Sequence, residues 1–228
     1  MMSIITIPGR FDLVNSKFEF IDRDQLTKNI DESKKQQLTT YHILDISGNF
    51  INRIDLDSIT YYFPHISELY LINNELKDIP AEINRLIHLK KLYLSKNKLT
   101  SITNIDQLVN LELLDLRANR ITNCNGMSTN IKLNYLSLSN NLITDLTTMP
   151  SLEGLESLFL FSNKLDNLEE TFSILKQRTP ALKKLLLECN PATPLNRSPQ
   201  QNQLYRQLAK EKLAQLVTLD WKPAAVKQ

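Results

Sequence analysis

Glycine is scarce in this chain, with four residues among 228, and the four are scattered at positions 9, 48, 126 and 154. That spread leaves no glycine-rich phosphate loop and no dinucleotide fingerprint. Two cysteines, Cys124 and Cys189, are too few for a disulfide framework or a four-thiolate zinc site. Three histidines leave little room for a metal hydrolase. No run approaches the roughly 18 apolar residues of a membrane span. Met1 to Arg10 lacks the basic and apolar regions of a secretory leader. Asn196-Arg197-Ser198 matches a glycosylation sequon, but nothing else in the sequence supports secretion. Neither sign of charge dominates, since 27 Lys and Arg face 25 Asp and Glu for a net +2. That balance offers no electrostatic footprint for nucleic acid or an anionic membrane. The expectation is an intracellular, cytoplasmic protein with no cofactor, no membrane contact and no direct nucleic-acid binding.

Leucine and asparagine are abundant, at 40 and 22 residues. Most of the leucine falls into one repeated pattern, L-x-x-L-x-L-x-x-N-x-L, with other apolar residues allowed at the Leu positions. Its Asn recurs seven times, at Asn49, Asn74, Asn97, Asn119, Asn141, Asn163 and Asn190. The spacings are 25, 23, 22, 22, 22 and 27 residues. A typical copy is Leu89-Lys-Lys-Leu92-Tyr-Leu94-Ser-Lys-Asn97-Lys-Leu99. In Leu92-x-Leu94 the alternation is that of a strand with one buried face. Each strand is too short to stand alone, so stacking in parallel is needed to build a shared core. The Asn turns the chain away from the strand, and its amide can satisfy backbone groups inside the coil. Five residues later, Ile54, Ile79, Ile102, Cys124, Leu146 and Leu168 form a second apolar column. Cys124 therefore reads as a small buried hydrophobe.

Across residues 41–190 this pattern resembles the leucine-rich repeat family. The resemblance implies an α/β solenoid, a right-handed horseshoe with a parallel sheet on its concave face and helical caps at both ends. The 22-residue copies are similar to those of the leucine-rich regulator of protein phosphatase 1, with tight return arms of extended or 3₁₀ character. The 23-residue copy, Asp78-Ile-Pro-Ala-Glu-Ile-Asn-Arg-Leu, resembles the plain subtype. The longest spacing leaves room for a helix around 168–178.

Repeat stacks expose core at their ends and need caps. Residues 1–40 read as an N-terminal extension and cap. Phe11, Leu13, Phe18 and Phe20 suggest a short strand or hairpin. Asp22 with Gln25 resembles a capping box, and Leu26 and Ile30 share a face of a helix near 23–37. Residues 191–228 read as the second cap. Ser198-Pro199-Gln200-Gln201 starts a helix over about 199–212. The order Asn190-Pro191, Tyr205-Arg206, Leu219-Asp220 resembles the C-terminal cap motif of intracellular leucine-rich proteins, among them the spliceosomal A-prime protein, the messenger-RNA export receptor and tubulin-folding cofactor E.

Function is sought on strand side chains that point away from the core. The column between the two strand leucines reads Asp45, Tyr70, Tyr93, Asp115, Ser137, Phe159 and Leu186. The column after it holds Ile72, Arg117, Phe161 and Glu188, and the one before it Lys91, Leu113 and Tyr135. Polar residues would be the bland content of such positions. Aromatic anchors beside the charged Asp115 and Arg117 mark a protein interface instead. The competing reading packs these aromatics along the sheet, or beneath an N-terminal segment folded back into the concavity. His42, His65 and His88 recur every 23 residues, but no carboxylate or thiolate completes a metal site, so a solvated loop column is the simpler reading.

The function expected is a non-catalytic scaffold or adaptor. It would bind a protein through Tyr70, Ile72, Lys91, Tyr93, Asp115, Arg117, Tyr135, Phe159, Phe161 and Glu188. The resemblance implies a phosphatase regulator, a ciliary or dynein adaptor, or a tubulin-handling factor, and with these a nuclear or ciliary location beside the cytoplasmic one. The alternative is a ribonucleoprotein subunit that meets RNA mainly through a protein partner. A monomer is expected in isolation.

Overall fold

The computed structural model describes residues 9–27, 36–193 and 195–224. Its strands are Arg10–Asp12 (β1), Phe20–Ile21 (β2), Ile43–Asp45 (β3), Arg53–Ile54 (β4), Glu68–Tyr70 (β5) and Lys91–Tyr93 (β6). They continue as Leu113–Asp115 (β7), Tyr135–Ser137 (β8), Ser157–Phe159 (β9), Lys184–Leu186 (β10), Thr218–Leu219 (β11) and Lys222–Pro223 (β12). Ten of them form one sheet in the order β1-β3-β5-β6-β7-β8-β9-β10-β11-β12. All its pairings are parallel until the antiparallel β11–β12 hairpin.

The register is that of a solenoid. Leu44, Leu69, Leu92, Leu114, Leu136, Leu158, Leu185 and Leu219 sit opposite one another along the stack, all buried. The return column is buried as well, from Ile54 through Cys124 to Leu146, with Leu168 half-buried. Each fully buried leucine is worth about 1.5–3 kcal/mol of transfer free energy. One continuous core runs the length of the molecule.

The repeat asparagines hold successive coils together. Asn119 Nδ2 donates to Leu116 O at 2.9 Å in its own coil and to Leu94 O at 3.0 Å in the coil before. Its Oδ1 accepts from Leu99 N at 3.0 Å. Asn97, Asn141 and Asn163 bond in the same way to their own strand turns and the preceding ones. The residue before each asparagine has a positive φ: Gly48, Asn73, Lys96, Ala118, Asn140, Ser162 and Cys189 all lie between 54° and 69°. The tight turn out of the strand requires this left-handed backbone in every coil, and only Gly, and to a lesser degree Asn, adopts it cheaply.

The connecting arms follow the spacings. After β4, helix α2 (Leu56–Tyr62) is capped by Asp55, which accepts from Asp57 N and Ser58 N. Ala81–Arg85 is a single 3₁₀ turn. The 22-residue arms hold no helix and turn through backbone bonds such as Leu108 N to Ile105 O at 3.0 Å. The longest arm carries α3 (Leu168–Arg178), capped by Asn167.

The N-terminal stretch holds the expected short strands in an arrangement that the sequence does not show. Its strands form no hairpin with each other. Arg10–Asp12 pairs in parallel with Ile43–Asp45, and Phe20–Ile21 pairs in parallel with Arg53–Ile54 on the return side. The stretch is thus a further coil, with Phe11 and Leu13 buried in the positions of strand leucines. Ser16 stands where the repeat asparagine would be, and Asn15 before it has φ 55°. The first helix, α1 (Arg23–Thr27), buries Leu26. Ile30 and the rest of the expected helix up to residue 35 lie outside the described residues, as does the Gln25 side chain; Gln36–Thr40 form a 3₁₀ turn.

At the other end, α4 (Pro199–Lys212) begins with a complete capping box between Ser198 and Gln201. Tyr205 and Arg206 reach from it to the last parallel strand. The Tyr205 hydroxyl donates to Asp220 Oδ2 at 2.8 Å, and Arg206 donates to Leu219 O at 3.1 Å and Pro223 O at 2.9 Å. Asp220 Oδ1 accepts from Leu187 N and Glu188 N, closing the sheet's end.

Candidate functional site

The strand register places the non-core columns side by side. Tyr70 faces Tyr93, Asp115 faces Ser137, and Ser137 faces Phe159. These side chains divide into two groups along the concave face.

The first group lies toward the N-terminus. Tyr70 and Tyr93 stack with ring centroids 4.2 Å apart and 11° between planes. The Tyr70 hydroxyl donates to Glu68 Oε2 at 2.9 Å, and Lys91 Nζ donates to Glu68 Oε1 at 2.9 Å. Burial pushes the Glu68 carboxyl up, but these two hydrogen bonds outweigh it and hold the group below its ordinary range. Burial and the bond to Glu68 push the Tyr70 phenol upward. Arg10 from the added N-terminal coil lies over the Tyr70 ring at 5.3 Å and pairs with Asp45 at 2.5 Å and Asp12 at 2.7 Å. Ile72, next in the chain on this face, is half-buried.

The second group lies toward the C-terminus. Asp115, with its side chain 2% exposed, grips the Arg117 guanidinium through three hydrogen bonds between 2.7 and 3.1 Å. Tyr135 and Phe159 meet at 5.1 Å with a 40° tilt. Phe159 in turn meets Trp221 at 6.1 Å and 32°. Together with Arg117, Ser137 and Phe161 these rings line a hollow of about 460 Å³. Ser137 Oγ lies buried at its floor without a hydrogen-bond partner among the described residues. Burial, then the charge of Asp115, raises the Tyr135 phenol.

Of the residues singled out in the sequence, the structure brings Tyr70, Lys91 and Tyr93 into one cluster and Asp115, Arg117, Tyr135, Phe159 and Phe161 into the other. Glu188 lies apart, 3.7 Å from Arg197 of the C-terminal cap. Two residues are additions. Arg10 belongs to a coil hidden by its missing asparagine. Trp221, 72% exposed, follows the Leu219-Asp220 pair, and being the chain's sole tryptophan is its one sequence signal. Residues 9–21 extend the stack and do not enter the concavity.

The remaining candidates have ordinary surroundings. Cys124 is fully buried, and burial pushes its thiol up to about 12. Burial raises the Cys189 thiol too. His65 and His88 are exposed with centroids 6.2 Å apart, and His42 Nδ1 lies 3.0 Å from His65 O. Among the described residues no group of three His, Cys, Asp or Glu could hold a metal ion, and no helix is long and apolar enough to cross a membrane.

A model of the leucine rich repeat family matches residues 64–121. Among solved structures, internalin C2 of Listeria monocytogenes aligns with a TM-score of 0.66 and 24% identity, over 92% of this chain and 79% of its own. A second internalin of that organism aligns with a TM-score of 0.64 and 21% identity, over 92% of this chain and 59% of its own. At these identities the likeness is one of fold. No curated protein sequence matches the chain.

Proposed function

We propose that this chain, which folds as a leucine-rich-repeat solenoid, is a non-catalytic scaffold that binds a protein partner on its concave face as a subunit or regulator of a larger complex. The observation that carries this reading is the aromatic content of strand positions that the core does not use. Tyr70, Tyr93, Tyr135 and Phe159 all stand on the open side of the sheet while the leucines beside them fill the core. Rigid aromatic side chains supply large contact area at low entropic cost, and they dominate binding energy at protein interfaces. Charge is oriented there as well, because buried Asp115 fixes Arg117 before any partner arrives. A wide curved sheet with anchors spread over several coils suits a macromolecule better than a small substrate.

The test is affinity capture from native lysate with the wild-type chain and with a variant carrying Tyr93→Ala and Phe159→Ala together. The double variant is expected to keep its circular dichroism and lose the wild-type partners. Retention of the same partners at the same yield removes the concave face from the reading.

A further inference from the structure

We propose that Asn125-Gly126 is a site of self-modification, where the Gly126 amide nitrogen closes on the Asn125 side chain, converts it to isoaspartate or aspartate, and so loosens the return arm of its coil. The site is independent of the concave face.

The chemistry needs only water. Water or hydroxide takes the proton of the Gly126 N–H as its nitrogen attacks Asn125 Cγ. A C–N bond forms, the Cγ–Nδ2 bond breaks, and Nδ2 leaves as ammonia with a proton from water. Water then adds to either carbonyl of the resulting succinimide. Opening at the Asn125 main-chain carbonyl leaves the chain running through Cγ, as isoaspartate. Opening at Cγ gives aspartate. The sum exchanges ammonia for water, and nothing is oxidised or reduced. Asparagine is thermolabile by this route, and the ring closes fastest where the next residue is glycine, whose nitrogen no side chain hinders.

The treatment of the other asparagines is the first observation. In the ladder, the nitrogen that would have to attack is engaged at every coil. Phe50 N, Glu75 N, Lys98 N, Arg120 N, Leu142 N and Lys164 N each donate to a carbonyl of the preceding coil at 2.7 or 2.8 Å. The last ladder residue, Asn190, is followed by Pro191, which has no N–H. Asn15-Ser16 is the chain's one Asn-Ser pair, and Ser16 N donates to Asn49 Oδ1 at 2.8 Å. Asn125-Gly126 is the one Asn-Gly pair, and both residues are exposed. Neither the Gly126 N–H nor the Asn125 side chain has a hydrogen-bond partner among the described residues. The fold that shields its structural asparagines leaves this pair open.

The demand for glycine is the second observation. Gly126 has φ 87°, and a Cβ there would drive into Ile102 O of the preceding coil. Glycine is therefore imposed at this position by the packing of two coils. The same close approach makes conversion felt. Isoaspartate puts one more carbon into the main chain between Cys124 and Gly126. Cys124 is fully buried, and its N donates to Thr148 Oγ1 of the next coil at 2.9 Å. Gly126 lies against the coil before. A longer chain cannot keep both ends in place, so Cys124 is drawn from its core column.

The experiment ages the full chain at neutral and at mildly alkaline pH. Peptide mass mapping and methyl labelling by an isoaspartate methyltransferase read the product. Isoaspartate is expected first at Asn125, faster at the alkaline pH, with the net charge of +2 reduced by one. In concentrated urea, Asn15 should convert about tenfold or more faster than in the folded chain, because its protection is lost, while Asn125 changes by less than about threefold. Asn125→Gln should keep the melting temperature and lose the early product. In the isoaspartate fraction, separated by ion exchange, a thiol reagent should label Cys124 about tenfold or more faster than in the unconverted chain. Isoaspartate arising first at another asparagine, or at Asn125 only in urea, overturns the site. Equal Cys124 labelling in the two fractions overturns the loosening of the arm.

Discussion

Tyr205 and Asp220, fifteen residues apart in sequence, meet at 2.8 Å inside the C-terminal cap. The same carboxylate accepts two backbone N–H groups of the last long strand turn, so it ties helix α4 to the end of the sheet beside the Arg206 bonds. Tyr205→Phe removes a single hydroxyl and leaves a buried carboxylate one donor short. The expected loss is about 1–3 kcal/mol in chemical unfolding. A denaturation midpoint equal to the wild type's would show that the cap does not depend on this bond.

Asn119→Leu keeps volume but leaves Leu94 O, Leu116 O and Leu99 N without their side-chain partner in the interior. The expected cost is about 1–3 kcal/mol, which lowers the melting temperature by several degrees. An unchanged melting temperature would contradict the stitching role of the asparagine ladder.

Ala118 occupies the left-handed position of its coil at φ 54°, where Gly48 stands in an earlier coil. A left-handed conformation costs a residue with a Cβ roughly 1–2 kcal/mol, and only part of this is offset by the greater freedom of unfolded glycine. Ala118→Gly should therefore raise the melting temperature. A fall would mean that the turn is not strained there.

Glu68 and Lys91 make a pH-dependent contribution with opposite limits. The Glu68 carboxyl is held below its ordinary 4.5, so its stabilisation is complete above that value and is lost as pH falls through the lowered midpoint. Lys91 is raised above its ordinary 10.5 chiefly by its hydrogen bond to Glu68, so its share is complete below that value and lost as pH rises through the raised midpoint. Carboxyl NMR of Glu68 should give a midpoint below 4.5, moved upward by Lys91→Met. A midpoint at or above 4.5 in the wild type would show the ion pair to be ineffective.

The repeats were legible because each position obeys one demand at every coil. Leu92 and Leu94 must face the core, and Asn97 must answer backbone groups. Helix α4 was legible from the Ser198-Gln201 box and α3 from a spacing too long for a tight arm. The first coil was not, since Ser16 replaces the asparagine and 33 residues separate it from Asn49. The left-handed column carries no sequence signature, because Gly, Asn, Lys, Ala, Ser and Cys share no side-chain property; their common feature is backbone shape. Asn130 lies outside the repeat column and follows no period, yet it is fully buried and donates to Ile105 O and Leu108 O at 3.0 Å. On the concave face the aromatic columns were readable from the strand period. Trp221 was not, because its place beside Phe159 depends on the reversal of the chain after β11.

Covalent footprinting of the chain alone and bound to its captured partner tests concave-face binding most directly. Protection is expected at Tyr93, Tyr135, Phe159 and Trp221, with the exposed Phe50 and Tyr61 modified equally in both states. Protection of Phe50 and Tyr61, with the four concave-face rings unchanged, would contradict it.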